Sequence, residues 1–464
     1  MAKKNDKKKD AKKRMDISMV AVSDNIVFSK TDMWGYYRLT NSAYDFLSSE
    51  AKIALGQQII NAFVNLMGDR SEPLSCHLVV SSIPVDIDSW ERQVYEVTKD
   101  WNKKPTFEDY IRQMYSYLRY EEFMKKVTYL GVHLGKRGAL NLDVSKVFEN
   151  GIESAKNTVK KVISQITLTP DNEISSGEEL EARRLEDKIF RTLSNGHLRA
   201  ERCTAEEILL NTKRQFYPAM QSPNLDVDHE NRFGPGDLDL ELGSAIFNKL
   251  RYLRINQIFE DIEVDGYRAT LSISKLPKTV DYPYSSLPFM YFLTLIGLPF
   301  TCYSRFEIHP SAKMKKELEK KKKETKDEFE NLENSNTADS ALGMLPQDVQ
   351  DSLQDMQILN EMLNDEKAPW IQGTYRIVVE TTSEEALKKY CSIVKQQFTD
   401  LDINVNWTIG DQADLFLEQM PGDRLRSKSH QQVTNLAMLG TSGFNFSSDV
   451  GDDLYDAIMN KEED

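Results

Sequence analysis

Residues 373–409 read GTYRIVVETTSEEALKKYCSIVKQQFTDLDINVNWTI. Gly373 to Glu380 is rich in β-branched and aromatic residues and reads as a strand. Thr382-Ser383-Glu384-Glu385 places cap residues and acids ahead of an apolar-periodic run, which predicts a helix to Phe398. Ile403 to Ile409 reads as the next strand. The unit is of βαβ size. Strand and helix alternate along most of the chain, and this predicts an α+β fold of mixed α and β layers.

Upstream, Ile26-Val27-Phe28 and Met33 to Leu39 read as opening strands. Ile53, Gly56, Ile60, Phe63 and Met67 recur at helical spacing, and Gly68 ends that helix. Cys76 to Val80 is a strand closed by Ile83-Pro84. Phe107, Ile111, Met114 and Leu118 mark a second helix, and Val127 to Leu134 a strand. Further helices are expected over Val144 to Ile163 and Glu178 to Leu193. Thr204-Ala205-Glu206-Glu207 has capping-box form, so another should start at Ala205. Gly266 to Leu276 alternates as a strand.

Tyr282 to Ser304 carries no charge, but prolines at 283, 288 and 299 break it. Its uninterrupted apolar part falls short of the roughly 20 residues that span a bilayer, so a buried helix and then a strand (Phe300 to Ile308) are expected. Lys313 to Glu333 is a charged helix with a thin seam (Leu318, Thr325, Phe329, Leu332). Val349, Leu353, Met356, Leu359 and Leu363 form a cleaner stripe. Together they predict a long helical-hairpin insertion, either two ordinary amphipathic helices on a surface or an arm suited to partner binding.

Downstream lies Asp411 to Asp452, DQADLFLEQMPGDRLRSKSHQQVTNLAMLGTSGFNFSSDVGD. A short helical run (Leu415, Phe416, Met420) is stopped by Pro421-Gly422. The order Phe416, Met420-Pro421-Gly422, Arg424 or Arg426, Asn435, Ala437, Gly451-Asp452 resembles the junction that ends the N-terminal domain of conjugative type IV secretion ATPases of the VirB/TrsE/TraE class, in Gram-positive-type conjugation. The opening strands, NIVFSKTDMWGYYRL, and the strand–SEEAL helix–strand unit resemble the same family, so the likeness spans roughly residues 25 to 452. It implies a cytoplasmic protein, peripheral at the cytoplasmic face of the membrane. Its work would be docking and oligomerisation of the transfer ATPase on inner-membrane channel proteins, with self-association. In the family a nucleotide-binding motor follows the Gly-Asp step. The 464 residues contain no complete phosphate-loop motif. The expectation is therefore that this chain lacks the motor and does not hydrolyse ATP, with ATP and magnesium belonging to a motor supplied in cis or in trans.

Other chemistry is thin. The net charge is −14, so the surface as a whole is not built to collect nucleic acid. Cys76, Cys203, Cys302 and Cys391 are scattered singly, which suits a reducing compartment and no zinc module. Lys7, Lys8, Lys9, Lys12, Lys13 and Arg14 form a basic tail that is either a solvated extension or a contact to an anionic membrane face. Asp226, Asp228, Glu230 and Asp237 have calcium-loop spacing, but Asn231 replaces the required Gly, and a solvated acidic loop is the plainer reading. Gly422 to Ser429 misses a phosphate loop by one residue, Ser427, which leaves Lys428 and Ser429 as nucleotide-binding candidates in a first alternative. A second alternative is a single-stranded nucleic-acid module using the helix with Tyr110, Tyr115, Tyr117 and Tyr120 beside Arg112, Arg119, Lys125 and Lys126. Helical periodicity already explains that helix as a core element, and direct DNA binding is not expected. His77 and His133 sit on apolar strands, where core histidines are the common case. No catalytic residue and no metal ligand can be named.

The expected division is a basic disordered tail (1–24), an N-terminal α/β part (25–222), an acidic loop with strand, helix and strand (223–310), the hairpin insertion (311–368), the βαβ unit with the Pro-Gly junction (369–452) and a tail (453–464).

Overall fold

Alternation along strand β5 (Leu74–Pro84) shows how the molecule is layered. Leu74, Cys76, Leu78 and Val80 enter one hydrophobic core, while His77 and Val79 face another. A period of two puts successive side chains on opposite faces, so a strand whose consecutive residues Cys76, His77 and Leu78 are all buried must be covered on both. The computed structural model of the chain describes residues 17–68, 70–84, 94–96, 105–120, 124–137, 174–194, 198–218, 232–233, 245–259, 262–277, 282–284, 288–296, 298, 300–310, 320, 323 and 369–447.

The elements before the sheet's midpoint are β1 (Met19–Ser23), β2 (Ile26–Ser29), β3 (Asp32–Leu39), β4 (Ser42–Ala43), α1 (Ser49–Met67), β5, α2 (Pro105–Tyr120), β6 (Met124–Lys136), α3 (Ser176–Ser194), β7 (Ala200–Arg202), α4 (Ala205–Arg214) and β8 (Arg232–Phe233). There follow β9 (Ala245–Asn248), β10 (Leu253–Phe259), β11 (Ile262–Lys275), α5 (Phe289–Leu295), β12 (Phe300–His309), β13 (Trp370–Thr381), α6 (Glu384–Thr399), β14 (Asn404–Trp407), α7 (Gln412–Glu418), β15 (Gln432–Asn435), α8 (Leu436–Gly440) and β16 (Phe446–Ser447). The fold is mixed α+β.

One large sheet runs in the order β8-β1-β2-β3-β6-β5-β12-β13-β11-β10-β9, with β7, β14 and β15 attached beside β3, β11 and β13. Every pairing in it is antiparallel. The seam between the chain's two halves is β5 on β12, from Leu74 opposite Ile308 to Ser81 opposite Thr301. Strands from the stretches 25–222, 223–310 and 369–452 thus share a single sheet. On the first face lie α1, α3, α5, α6 and α8; α1 alone buries Ile59, Phe63, Leu66 and Met67, each contributing about 1.5–3 kcal/mol. The second face is covered by α4, α7 and the turn after α7, through Ile208, Leu209, Phe416, Leu417 and Met420.

Several details differ from the sequence reading. Residues 19–23 form a strand, so the tail cannot run to residue 24. The βαβ unit is split: β13 and β14 both pair antiparallel with β11, which lies between them. Ser383 is the N-cap of α6, yet its side chain makes no cap hydrogen bond. The hairpin β9–β10 has no strong alternation and was not foreseen. Thr204 does make the full capping box expected of it. The uncharged stretch holds α5 and then β12, and among the described residues no helix is long and apolar enough to cross a membrane. On α2, Ile111 is buried while Tyr110 and Arg112 are exposed. The helix expected over Val144 to Ile163, the acidic residues 226–237, the hairpin 311–368 apart from Lys320 and Lys323, the basic residues from Lys7 to Arg14, Gly451, Asp452 and the tail 453–464 lie outside the described residues.

Candidate functional site: the Pro-Gly segment and the cleft beside it

Neighbouring strands β11, β12 and β13 carry Arg268, Arg305 and Arg376 on the second face, each at most 3% exposed. A buried guanidinium is costly unless its donors are used. Each of the three places at least one donor on the segment 415–427, while Arg268 Nε, Arg305 Nη1 and Arg376 Nε make no hydrogen bond. Arg305 Nε donates to the carbonyl of Glu418 at 2.6 Å and its Nη2 to that of Met420 at 2.7 Å. Arg376 Nη2 donates to the carbonyl of Ser427 at 3.0 Å, and Nη1 to Ser272 Oγ. Arg268 reaches Gln419 Oε1 and Glu380, and lies over the Phe416 ring. Tyr303 Oη donates to the carbonyl of Leu415 at 2.8 Å. The last carbonyls of a helix have no partner inside it and carry partial negative charge. Here side chains from the sheet share the end of α7 with a local cap: Tyr303 takes the Leu415 carbonyl and Arg305 that of Glu418, while the N–H groups of Gln419 and Met420 turn back to Leu417.

The start of α7 is tied as firmly. β10 pairs with β11 up to Arg268, and β14 takes over at Leu271. Thr270 falls in the gap, and Gln412 fills it. Gln412 Oε1 accepts from Thr270 N at 2.8 Å, and Gln412 Nε2 donates to the carbonyls of Thr270 at 3.0 Å and Thr408 at 2.9 Å. The side-chain amide stands in for a peptide group of the missing strand.

Pro421 and Gly422 then turn the chain against the N-terminal strands. Gly422 has φ +76°, a region that favours glycine, and a Cβ there would lie 2.7 Å from Val27 Cγ1. Its N–H donates to Tyr36 Oη at 3.0 Å. Burial lifts the Tyr36 phenol above its ordinary pKa, so it stays protonated and its hydroxyl serves His77 Nδ1, 3.0 Å away. Asp423 accepts from Arg426 Nη2 at 2.7 Å and Nε at 3.0 Å.

Burial, reinforced by Arg305, holds the His77 imidazole well below its ordinary pKa. The unfolded chain therefore binds a proton near pH 6.5 that the folded chain refuses. This contribution to stability is full above about pH 6.5 and is lost as pH falls below it, with a slope of about 1.4 kcal/mol per pH unit. His77→Gln is expected to flatten the stability profile of the chain between about pH 6.5 and 5. Denaturant titrations at several pH values check this, and an unchanged slope would count against it.

The candidate phosphate loop, Gly422 to Ser429, proves to be occupied from within. Glu418 is fully buried, and its Oε2 accepts from the backbone N–H groups of Arg426 at 2.9 Å and Ser427 at 3.0 Å. Two successive amides on one anion form a nest of the kind that holds phosphate elsewhere. Arg376 Nε stands 3.5 Å from the other carboxylate oxygen, which is ion-pair range but too long for a good hydrogen bond. Lys428 is exposed, and Ser429 Oγ bonds Ser427 Oγ at 2.8 Å. The element before the loop is a helix, where a phosphate loop needs a strand. Magnesium-ATP at millimolar concentration is accordingly expected to leave the thermal unfolding of the chain unchanged. A stabilisation abolished by Lys428→Ala would restore the nucleotide reading.

Asn435 caps α8 by accepting from Met438 N at 3.1 Å, and Ala437 lies on that helix. Beyond it the chain is clamped once more: buried Lys126 donates to the carbonyls of Gly443 at 2.9 Å and Phe446 at 2.7 Å, and β16 pairs parallel with β4. The structure thus places Phe416, Pro421 and Gly422 in the clamp on the second face, while Asn435 starts α8 on the first face. Beside it opens a cleft of about 450 Å³ lined by Arg251, Lys395, Trp407, Asp411, Ser429 and His430. Arg251 lies over the Trp407 ring at 5.7 Å. Among the described residues no group of three or more His, Cys, Asp or Glu could hold a metal ion.

Reading the sequence missed Arg268, Arg305, Arg376, Gln412 and Glu418. The arginines did carry a signal: each stands inside an apolar strand covered on both faces, where a charge must find a partner. No protein-family model matches the chain, and no curated protein matches it.

Proposed function

We propose that the chain is the non-motor docking and oligomerisation part of a conjugative DNA-transfer ATPase, working at the cytoplasmic face of the membrane with inner-membrane channel proteins and a motor supplied in cis or in trans. The observation that carries this reading is the clamp. Two of the residues through which the sequence resembles the family's junction, Met420 and Gly422, take part in fastening segment 411–447 to strands from both halves of the sheet, Met420 by its carbonyl to Arg305 and Gly422 by its N–H to Tyr36. A segment anchored at so many points can pass force or orientation to whatever it joins, and its internal nest leaves no cradle for a nucleotide. The basic residues Lys7 to Arg14 suit attraction to an anionic membrane face.

Deleting the gene from the genetic element that carries it tests the proposal. Transfer of that element between cells is expected to collapse and to return when the chain is supplied in trans. Transfer at the undeleted level would overturn the reading.

A further inference from the structure

The corner around the cleft combines features that the clamp does not use. The β9–β10 turn is tied to the end of β14 by Gly410 N donating to the carbonyl of Leu250 at 2.8 Å and by the Trp407 indole donating to that of Arg251. This sets Leu250 (67% exposed) next to Ile409 (54% exposed), which lines the cleft, with Phe247 (42% exposed) on the same hairpin. Trp407 forms part of the floor, half-buried, with Arg251 stacked on it. Lys395 projects from α6 on the other side. Among the described residues neither Arg251 nor Lys395 has a carboxylate partner, whereas nearby Arg254 is paired with Asp265. The carboxylate within the cleft, Asp411, accepts from Ser427 Oγ at 2.9 Å.

We propose that this corner is a docking surface for an acidic, apolar segment of a partner protein. Carboxylates of the segment reach Arg251 and Lys395, while an aliphatic or aromatic side chain seats on Trp407 between Leu250 and Ile409. Charge complementarity selects this occupant. The chain carries −14 overall, so two cations without a carboxylate partner among the described residues, set beside exposed apolar side chains, mark a place on the folded part where an acidic segment can land. Tryptophan and arginine at the centre of an apolar patch are also the composition of an interface hot spot. Asn406 and Ser429 line the same cleft and can hydrogen-bond a peptide backbone.

The inference rests on the docking reading, and the two can fail separately. The purified chain is applied to an array of random-sequence peptides, and the best binder is titrated by fluorescence anisotropy. Bound peptides are expected to be enriched in Asp and Glu next to Leu, Phe or Trp. The double variant R251E/K395E, altered only at exposed positions, should weaken binding about tenfold or more, as for hot-spot residues. The exposed Arg184 on α3 serves as control, and R184E should leave binding unchanged. No acidic enrichment, equal losses in both variants, or a change confined to self-association of the chain would each overturn the proposal. Enrichment without any role in transfer would keep the surface and reject the conjugation reading; a role in transfer without enrichment would do the reverse.

Discussion

Glu418→Ala is expected to destabilise the chain by about 3–5 kcal/mol, the range for removing one partner of a buried charged network. The loss has two sources. The amides of Arg426 and Ser427 are left without an acceptor in a buried place, at about 1–3 kcal/mol for each unsatisfied group. Arg376, fully buried, also loses its nearest carboxylate. Glu418→Gln separates the two, because a carbonyl oxygen can still serve both amides but carries no charge. It should cost about 1–3 kcal/mol, as when charge-assisted hydrogen bonds become neutral ones. Guanidinium denaturation of the three proteins measures both steps. An alanine variant within about 0.5 kcal/mol of the parent, the usual range for a surface change, would mean the nest does not anchor the segment.

Gly422→Ala should cost nearly as much. The left-handed backbone adds about 1–3 kcal/mol for any side chain. The new Cβ would also press on Val27 Cγ1, which overpacks a closed core by about 1–3 kcal/mol. Combining it with Val27→Ala relieves only the second part. The double variant should therefore be less destabilised than the sum of the two single variants. Simple additivity would show that the turn does not bear on β2.

Much of the fold was legible because its strands and helices have clean periods. Met33 to Leu39, the spacing of Ile60, Phe63 and Met67, and the capping box at Thr204 each mark an element that the structure contains. Strand order was not legible. Nothing local in Leu74 to Pro84 says that its outer neighbour is Phe300 to His309, since long-range pairing depends on which surfaces remain to be buried. The site was half legible. Pro421-Gly422 and Asn435 announce a turn and a cap by residue type. Gln412 acts as a stand-in peptide group for Thr270, far away in sequence, and Glu418 as a stand-in phosphate for the amides of Arg426 and Ser427, which meet it only because the turn at Pro421-Gly422 folds the chain back. The resemblance to a phosphate loop at Gly422 to Ser429 was a true sign of an anion-binding backbone, although the anion is the protein's own.

The pairing of β5 with β12 has a consequence for synthesis. Roughly 200 residues separate the two strands, and ribosomes add about 5–20 residues per second, so β5 waits about 10–40 s for the neighbour that completes it. During that interval β6 can cover one side of it, while the other remains a long open edge able to pair with a second nascent chain. Production of this protein should thus be more sensitive to translation speed and to chaperones that shield open strands than its finished stability would suggest.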